Sequence, residues 1–150
     1  MTDYESLCAQ VEALTENVPY PIANYANTAA CIWHALPDLN WAGFYLVQED
    51  SLILGPFQGK PACIRIPFGK GVCGTAAQTG QTQRVADVHA FPGHIACDCA
   101  SRSEIVVPLF SDGKLIAVMD LDSPRPDRFT PEDQTGLEKL ARVLEKWITY

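Results

Sequence analysis

No block of lysine or arginine stands out anywhere in this sequence, and the chain carries a formal net charge of −7. That argues against nucleic acid or an anionic membrane as the main partner, since both are held by concentrated positive charge. No apolar run reaches the length a bilayer demands. The amino terminus, MTDYESLCAQVEAL, has acidic residues where a signal peptide would carry positive charge, so a cytoplasmic location is expected. No internal repeat, low-complexity segment or interdomain linker breaks the pattern. One domain spanning 1–150 is therefore expected, with enough chain to bury a core. Six cysteines occur without a single Cys-x-x-Cys pair, and in a reducing compartment most should be thiols rather than a disulfide framework.

What is present is an ordinary globular composition, 47% hydrophobic and 19% charged. Leu7, Val11, Leu14 and Val18 recur at spacings of three and four, which predicts a first helix. A second helix is expected after Pro21, with Ile22, Tyr25, Ala29, Trp33 and Leu36 on one side. WAGFYLVQ (41–48) and SLILGPF (51–57) read as strands joined at a Glu49–Asp50 corner. ACIRIPF (62–68) reads as a short strand, GKGVCGTAAQTG (69–80) as a glycine-bearing loop entering a short helix, and QRVADV (83–88) as a weak strand. EIVVPLF (104–110) and KLIAVMDLD (114–122) flank an Asp112-Gly113 turn, and Pro108 suggests an edge position or a bulge. Thr130, Pro131 and Asp133 announce a capped last helix whose inner stripe is Leu137, Leu140, Ala141, Leu144 and Ile148.

Successive hairpins with helices at both ends predict an α+β domain. A central antiparallel sheet of about six strands is expected, with the terminal helices on one face. The middle, roughly 58–102, reads as loop-rich, and such loops often cover a pocket.

Six cysteines divide into two groups. Cys8 and Cys31 fall in predicted helices among apolar neighbours and read as packing residues. Cys63, Cys73, Cys97 and Cys99 fall in or beside the loop-rich middle. His94, Cys97 and Cys99 could join Cys63 or Cys73 around zinc, but His-x-x-Cys-x-Cys is not a common zinc spacing. Thiol redox chemistry suits the loop cysteines better, because disulfide formation needs alpha carbons within about 7 Å and a mobile loop can bring them there. Asp120 and Asp122 are two apart on one strand and so share a face. Glu104 begins the partner strand at the same end of the hairpin. Clustered in a pocket, these acids would bind a cation such as a substrate ammonium or share a proton. Trp41 and Tyr45, four apart on the first strand, could wall that pocket.

The segments WAGFYL, ACIRIPFGKGVCGTAA, FPGHIACDCASRSEIVVPLF, GKLIAVMDLDSP and RFTPED resemble, in order and spacing, the free methionine-(R)-sulfoxide reductases, a family built on a GAF domain. The specific signal is the cysteine triplet at 63, 73 and 97 joined to SEIVVP and MDLDS. The resemblance implies a pocket beneath the middle loops and reduction of free methionine sulfoxide without a bound cofactor or metal. It implies Cys97 as nucleophile, Cys63 as resolving cysteine and Cys73 in an auxiliary redox role. It implies that Glu104, Asp120 and Asp122 bind the substrate, that Trp41 and Tyr45 line its methyl-sulfur end, and that thioredoxin is the external reductant. Cys99 departs from the family pattern, where a small residue such as alanine is usual. Homodimer formation stays open. The alternatives are a GAF sensor that binds a small molecule or responds to oxidants without turnover, and a zinc-binding structural module.

Overall fold

The computed structural model describes residues 1–94 and 100–149. Cys97 and Cys99 lie outside the described residues. Four helices, α1 (Tyr4–Thr15), α2 (Pro21–Ala35), α3 (Gly71–Thr79) and α4 (Pro131–Glu145), accompany six strands. The strands are β1 (Trp41–Gln48), β2 (Ser51–Gly59), β3 (Arg65–Pro67), β4 (Gln83–Val85), β5 (Ser103–Ser111) and β6 (Lys114–Ser123). They form one antiparallel sheet in the order β3-β2-β1-β6-β5-β4. The expected α+β architecture is what the chain adopts.

Alternation along the strands divides the sheet into two faces. Ala42 and Phe44, Ile105, Val107 and Leu109, and Ala117, Met119 and Leu121 point to one side. There they meet Leu7 and Val11 of α1, Tyr25, Ala29 and Ile32 of α2, and Leu137, Leu140 and Leu144 of α4. Trp41, Tyr45, Val106 and Val118 point to the other side, where Val72, Cys73 and Ala76 of α3 cover them.

The end signals of α4 work as the sequence predicts. Thr130 Oγ1 accepts from Asp133 N–H at 3.1 Å, and the Asp133 carboxylate accepts from Thr130 N–H at 2.9 Å. Asp133 does more than cap. It also accepts from the Tyr4 hydroxyl at 2.6 Å and pairs with Arg128 at 3.1 Å, locking α1 against the start of α4. The Tyr4 ring lies so close over Gly136 that a β-carbon there would collide with it.

Several boundaries differ from expectation. Leu14 is 43% exposed, and Val18 lies beyond the end of α1; buried Thr15 takes the inner place and returns its hydroxyl to Val11 O at 2.9 Å. Ile22 is also exposed, because α2 begins at Pro21 itself and its period turns Pro21, Tyr25, Thr28 and Ile32 inward. The 62–68 and 83–88 segments shorten to the three-residue strands β3 and β4, and 88–90 forms a 3₁₀ turn.

Pro108 lies on an inner strand, flanked by β6 and, further back, β4. However, β4 pairs only with residues 104–106, so the ladder has already ended where proline could not have donated. Its carbonyl accepts from Arg142 at 2.9 Å. The bulge follows immediately. Leu109 pairs with Ala117 and Phe110 with Leu115, which leaves Ile116 without a partner on β5.

Candidate active site

That bulge positions the acids. Counting back from the Ser111–Lys114 pair without it would set Glu104 opposite Leu121, a helix-face residue. With one extra residue in β6, Glu104 pairs with Asp122 instead. Residues directly opposite on antiparallel strands share a face, and a one-residue slip reverses faces. The unpaired Ile116 therefore places Glu104 beside the two aspartates.

The same register runs on across β1. Trp41 pairs with Asp122, Gly43 with Asp120 and Tyr45 with Val118. A row Trp41–Asp122–Glu104 thus crosses three strands, and the next row on that face holds Gly43 and Asp120. Gly43 cannot be replaced freely, since a β-carbon there would run into Phe57 of β2.

The aromatic wall is deeper than the sequence indicated. Trp41 stacks on Tyr45 at 5.8 Å and on Phe57 at 5.1 Å between centroids. The indole N–H donates to Lys60 O at 3.1 Å, and the Tyr45 hydroxyl donates to Cys63 O at 2.9 Å. Both polar tips hold the β2–β3 segment down, and both side chains line the cavity. Phe57 carried no signal of this role in the sequence, because only the β1–β2 register brings it over Trp41.

Cys73 corrects an expectation. It sits in the first turns of α3, not in a loop, and it is buried and free. A cysteine fixed in a helix cannot move as a loop cysteine would. Its thiol lies 3.9 Å from Glu104 Oε2. Cys63 is half-buried, accepts at its carbonyl from the Tyr45 hydroxyl, and is disulfide-bonded. Cys8 and Cys31 are free thiols within helices, as packing residues should be, and burial raises both.

Burial and like charge govern the electrostatics. Glu104 and Asp120 are 7% and 5% exposed. Burial, then the charges of Asp120 and Asp122, push Glu104 far above the usual carboxylate range. Asp120 is also raised by burial, though hydrogen bonds from Glu104 and Cys73 hold it back. The Cys73 thiol is driven well above its ordinary value by burial and then by the surrounding carboxylates. Burial and like charge thus favour the neutral form of Glu104, which shares hydrogen bonds with Asp120 and Asp122. One oxygen of Asp120, Oδ1, is buried with no hydrogen-bond partner. An orphaned buried carboxylate oxygen costs free energy until something donates to it.

The lining also includes Lys70, His94 and Ser101, which the sequence did not single out as substrate contacts. Ser101 is held by Asn40, whose side-chain amide donates to its hydroxyl at 3.0 Å. Burial, then neighbouring His89, lowers the pKa of His94 and favours its neutral form. The zinc grouping around His94 needs Cys97 and Cys99, which lie outside the described residues.

Comparison with known proteins gives a consistent picture. Residues 21–146 match the GAF domain. The chain is 53% identical over 143 residues to the free methionine-R-sulfoxide reductase of Escherichia coli, covering 95% of this chain and 87% of that one. Its fold superposes on fRMsr of Staphylococcus aureus in complex with substrate with a TM-score of 0.95, at 50% identity, covering 99% and 97% of the two chains. The free methionine-R-sulfoxide reductase of Neisseria meningitidis in complex with its substrate gives 0.93 at 50% identity, covering 97% and 87%. Among the described residues no helix is long and apolar enough to cross a membrane.

Proposed function

The chain belongs to the free methionine-(R)-sulfoxide reductases, a family built on the GAF domain, and from that premise we propose how its own residues would carry the reaction. The substrate is free L-methionine-(R)-S-oxide. Its ammonium sits among Asp120, Asp122 and Glu104, and its methyl-sulfur end lies against Trp41 and Tyr45. Cys97 attacks the sulfoxide sulfur and the oxygen passes to the cysteine. Methionine leaves, and Cys97 remains as a sulfenic acid. Cys63 condenses with it, releasing water and forming a disulfide. Thioredoxin, an external dithiol, then returns both cysteines to thiols and becomes oxidised itself. Cys73 serves in an auxiliary redox role from its fixed helical position.

One observation carries this reading: a buried acid cluster with an unpartnered carboxylate oxygen, walled by stacked aromatics. Buried negative charges without partners cost several kcal/mol. A substrate ammonium supplies the missing donor and charge together. Sulfoxide oxygen is also a poor leaving group until protonated. Glu104, whose neutral form burial and its two aspartate neighbours favour, is the acid best suited to supply that proton, a contribution worth about 10²–10⁴ in rate. The half-buried Cys63, able to form a disulfide and tied through its carbonyl to the pocket residue Tyr45, suits the resolving role.

The test compares free methionine-(R)-sulfoxide, its S epimer and N-acetyl-methionine sulfoxide on the same enzyme, with thioredoxin supplied. N-acetylation removes the ammonium and should lower kcat/KM by about 10⁴. Equal values for the free and acetylated substrates would show that the acids do not read the ammonium. Methionine produced at no more than one equivalent per chain, with thioredoxin present, would instead favour a sensor without turnover.

A further inference from the structure

We propose that Cys73, Glu104 and Asp120 form a binding site for a thiophilic divalent cation, zinc foremost, and that the cation and the substrate ammonium exclude one another there. One ligand atom from each of these three side chains lies within 4.8 Å of the other two. The Sγ–Oε2 separation of 3.9 Å compares with about 3.5 Å for sulfur and oxygen on a tetrahedral zinc, given Zn–S near 2.3 Å and Zn–O near 2.0 Å. Small side-chain adjustments close that gap. The three groups come from α3, β5 and β6, so packed elements set their spacing rather than a loop.

A second observation points to a ligand. Asp120 is 5% exposed and lines the cavity, yet its Oδ1 has no hydrogen-bond partner. The donor set selects the metal. A thiolate with two carboxylates is too soft and too small in number for calcium or magnesium, which require six or more oxygens including water. Three protein ligands with a fourth position facing the cavity match zinc held in a pocket that a small molecule also enters. This trio differs from the histidine and cysteine grouping that the sequence offered for zinc. Metal binding stands on the geometry alone; its exclusion of substrate rests on the function proposed above.

The experiment uses the full chain in its disulfide form, which removes Cys63 as a competing thiolate. Cobalt(II) is titrated as a spectroscopic stand-in for zinc. One cobalt per chain is expected, with a near-ultraviolet thiolate-to-cobalt charge-transfer band that zinc abolishes and magnesium leaves unchanged. Cys73→Ser should abolish the band and weaken zinc binding about a hundredfold, and Asp120→Asn should weaken it about tenfold or more. Each variant is compared with the parent by thermal melting before its titration is read. Free methionine-(R)-sulfoxide should displace cobalt from the parent protein, a result that needs no variant. Absence of a stoichiometric band, or a band that survives Cys73→Ser, overturns the site. A band that free substrate cannot displace overturns the mutual exclusion. The titration reads no turnover, so the two proposals fail separately. A chain that binds cobalt through Cys73 but reduces no sulfoxide would sink only the function, and an active chain that binds none would sink only the metal site.

Discussion

The two faces of this sheet are made from the same strands and solve opposite problems. On the helix-covered face, Phe44, Met119, Leu121 and Ile105 are fully buried among aliphatic and aromatic neighbours. Those four side chains need no partner beyond van der Waals contact. One residue further along each strand the side chain turns to the other face, and the composition changes. Tyr45, Asp120, Asp122 and Glu104 lie there, with an oxygen left unpaired. The first face stabilises the fold; the second gives up stability to hold charge in a dry place. A difference of one residue in register separates the two, so substitutions one position apart should have contrasting effects.

The largest expected effect is on chemistry. Cys97→Ser should abolish even a single turnover, because no other group accepts the oxygen. Methionine released stoichiometrically by that variant would sink the assignment. Cys63→Ser should release about one equivalent of methionine per chain and then stop. Full cycling with thioredoxin would transfer the resolving role to another cysteine.

Asp120→Asn sharpens the contrast between faces. It should lower kcat/KM for the free amino acid by about 10²–10⁴, yet Tm should rise, since one of several mutually repelling buried acids is gone. A fall in Tm would mean that Asp120 is structural. Its mirror image is Phe44→Ala on the helix face. That cavity should cost about 3–5 kcal/mol and lower Tm by about 10 °C, with kcat/KM unchanged at temperatures where the protein is folded.

Trp41→Ala, with the fold verified by melting, should reduce kcat/KM by about 10–100-fold, the equivalent of about 1–3 kcal/mol of lost apolar wall. Unchanged kinetics would return Trp41 to a packing role.

The smallest effect concerns the latch between α1 and α4. Burial raises the Asp133 carboxyl, but hydrogen bonds from Thr130 and Tyr4 and the charge of Arg128 outweigh it, and the net pKa is lowered. Its contribution is therefore complete above the unfolded value and is lost as pH falls through the lower folded value. Asp133→Asn should cost about 1–2 kcal/mol at neutral pH. It should also shrink the stability difference between pH 7 and pH 3. An unaltered acid limb in urea melts would show that other carboxylates govern it.

Much of this architecture was legible because its signals are local. The Asp112-Gly113 turn needs two residues at positive φ, and both have it (51° and 76°). The capping box of α4 lies within four residues. Trp41–Gln48 formed the strand its pattern announced. The misreadings came where local pattern met a packing partner. Leu14 obeys helical spacing, but no partner lies over it, whereas Thr15 meets one. Cys73 looked like a loop cysteine because GKGVCG is glycine-rich, yet α3 starts at Gly71, whose φ of 63° only a glycine adopts easily.

The sequence by itself determined the strands, their alternation and the shared face of Asp120 and Asp122, because backbone geometry gives a period of two without reference to the rest of the chain. Whether Glu104 would join them was not a local matter. Its face depends on one unpaired residue, Ile116, and a bulge is set by pairing between strands rather than by either strand alone. The orphaned Asp120 oxygen, the raised Glu104 and the approach of Cys73 all follow from α3 closing over that register. Burial and charge proximity are properties of the assembled fold, so only the tertiary structure could decide them.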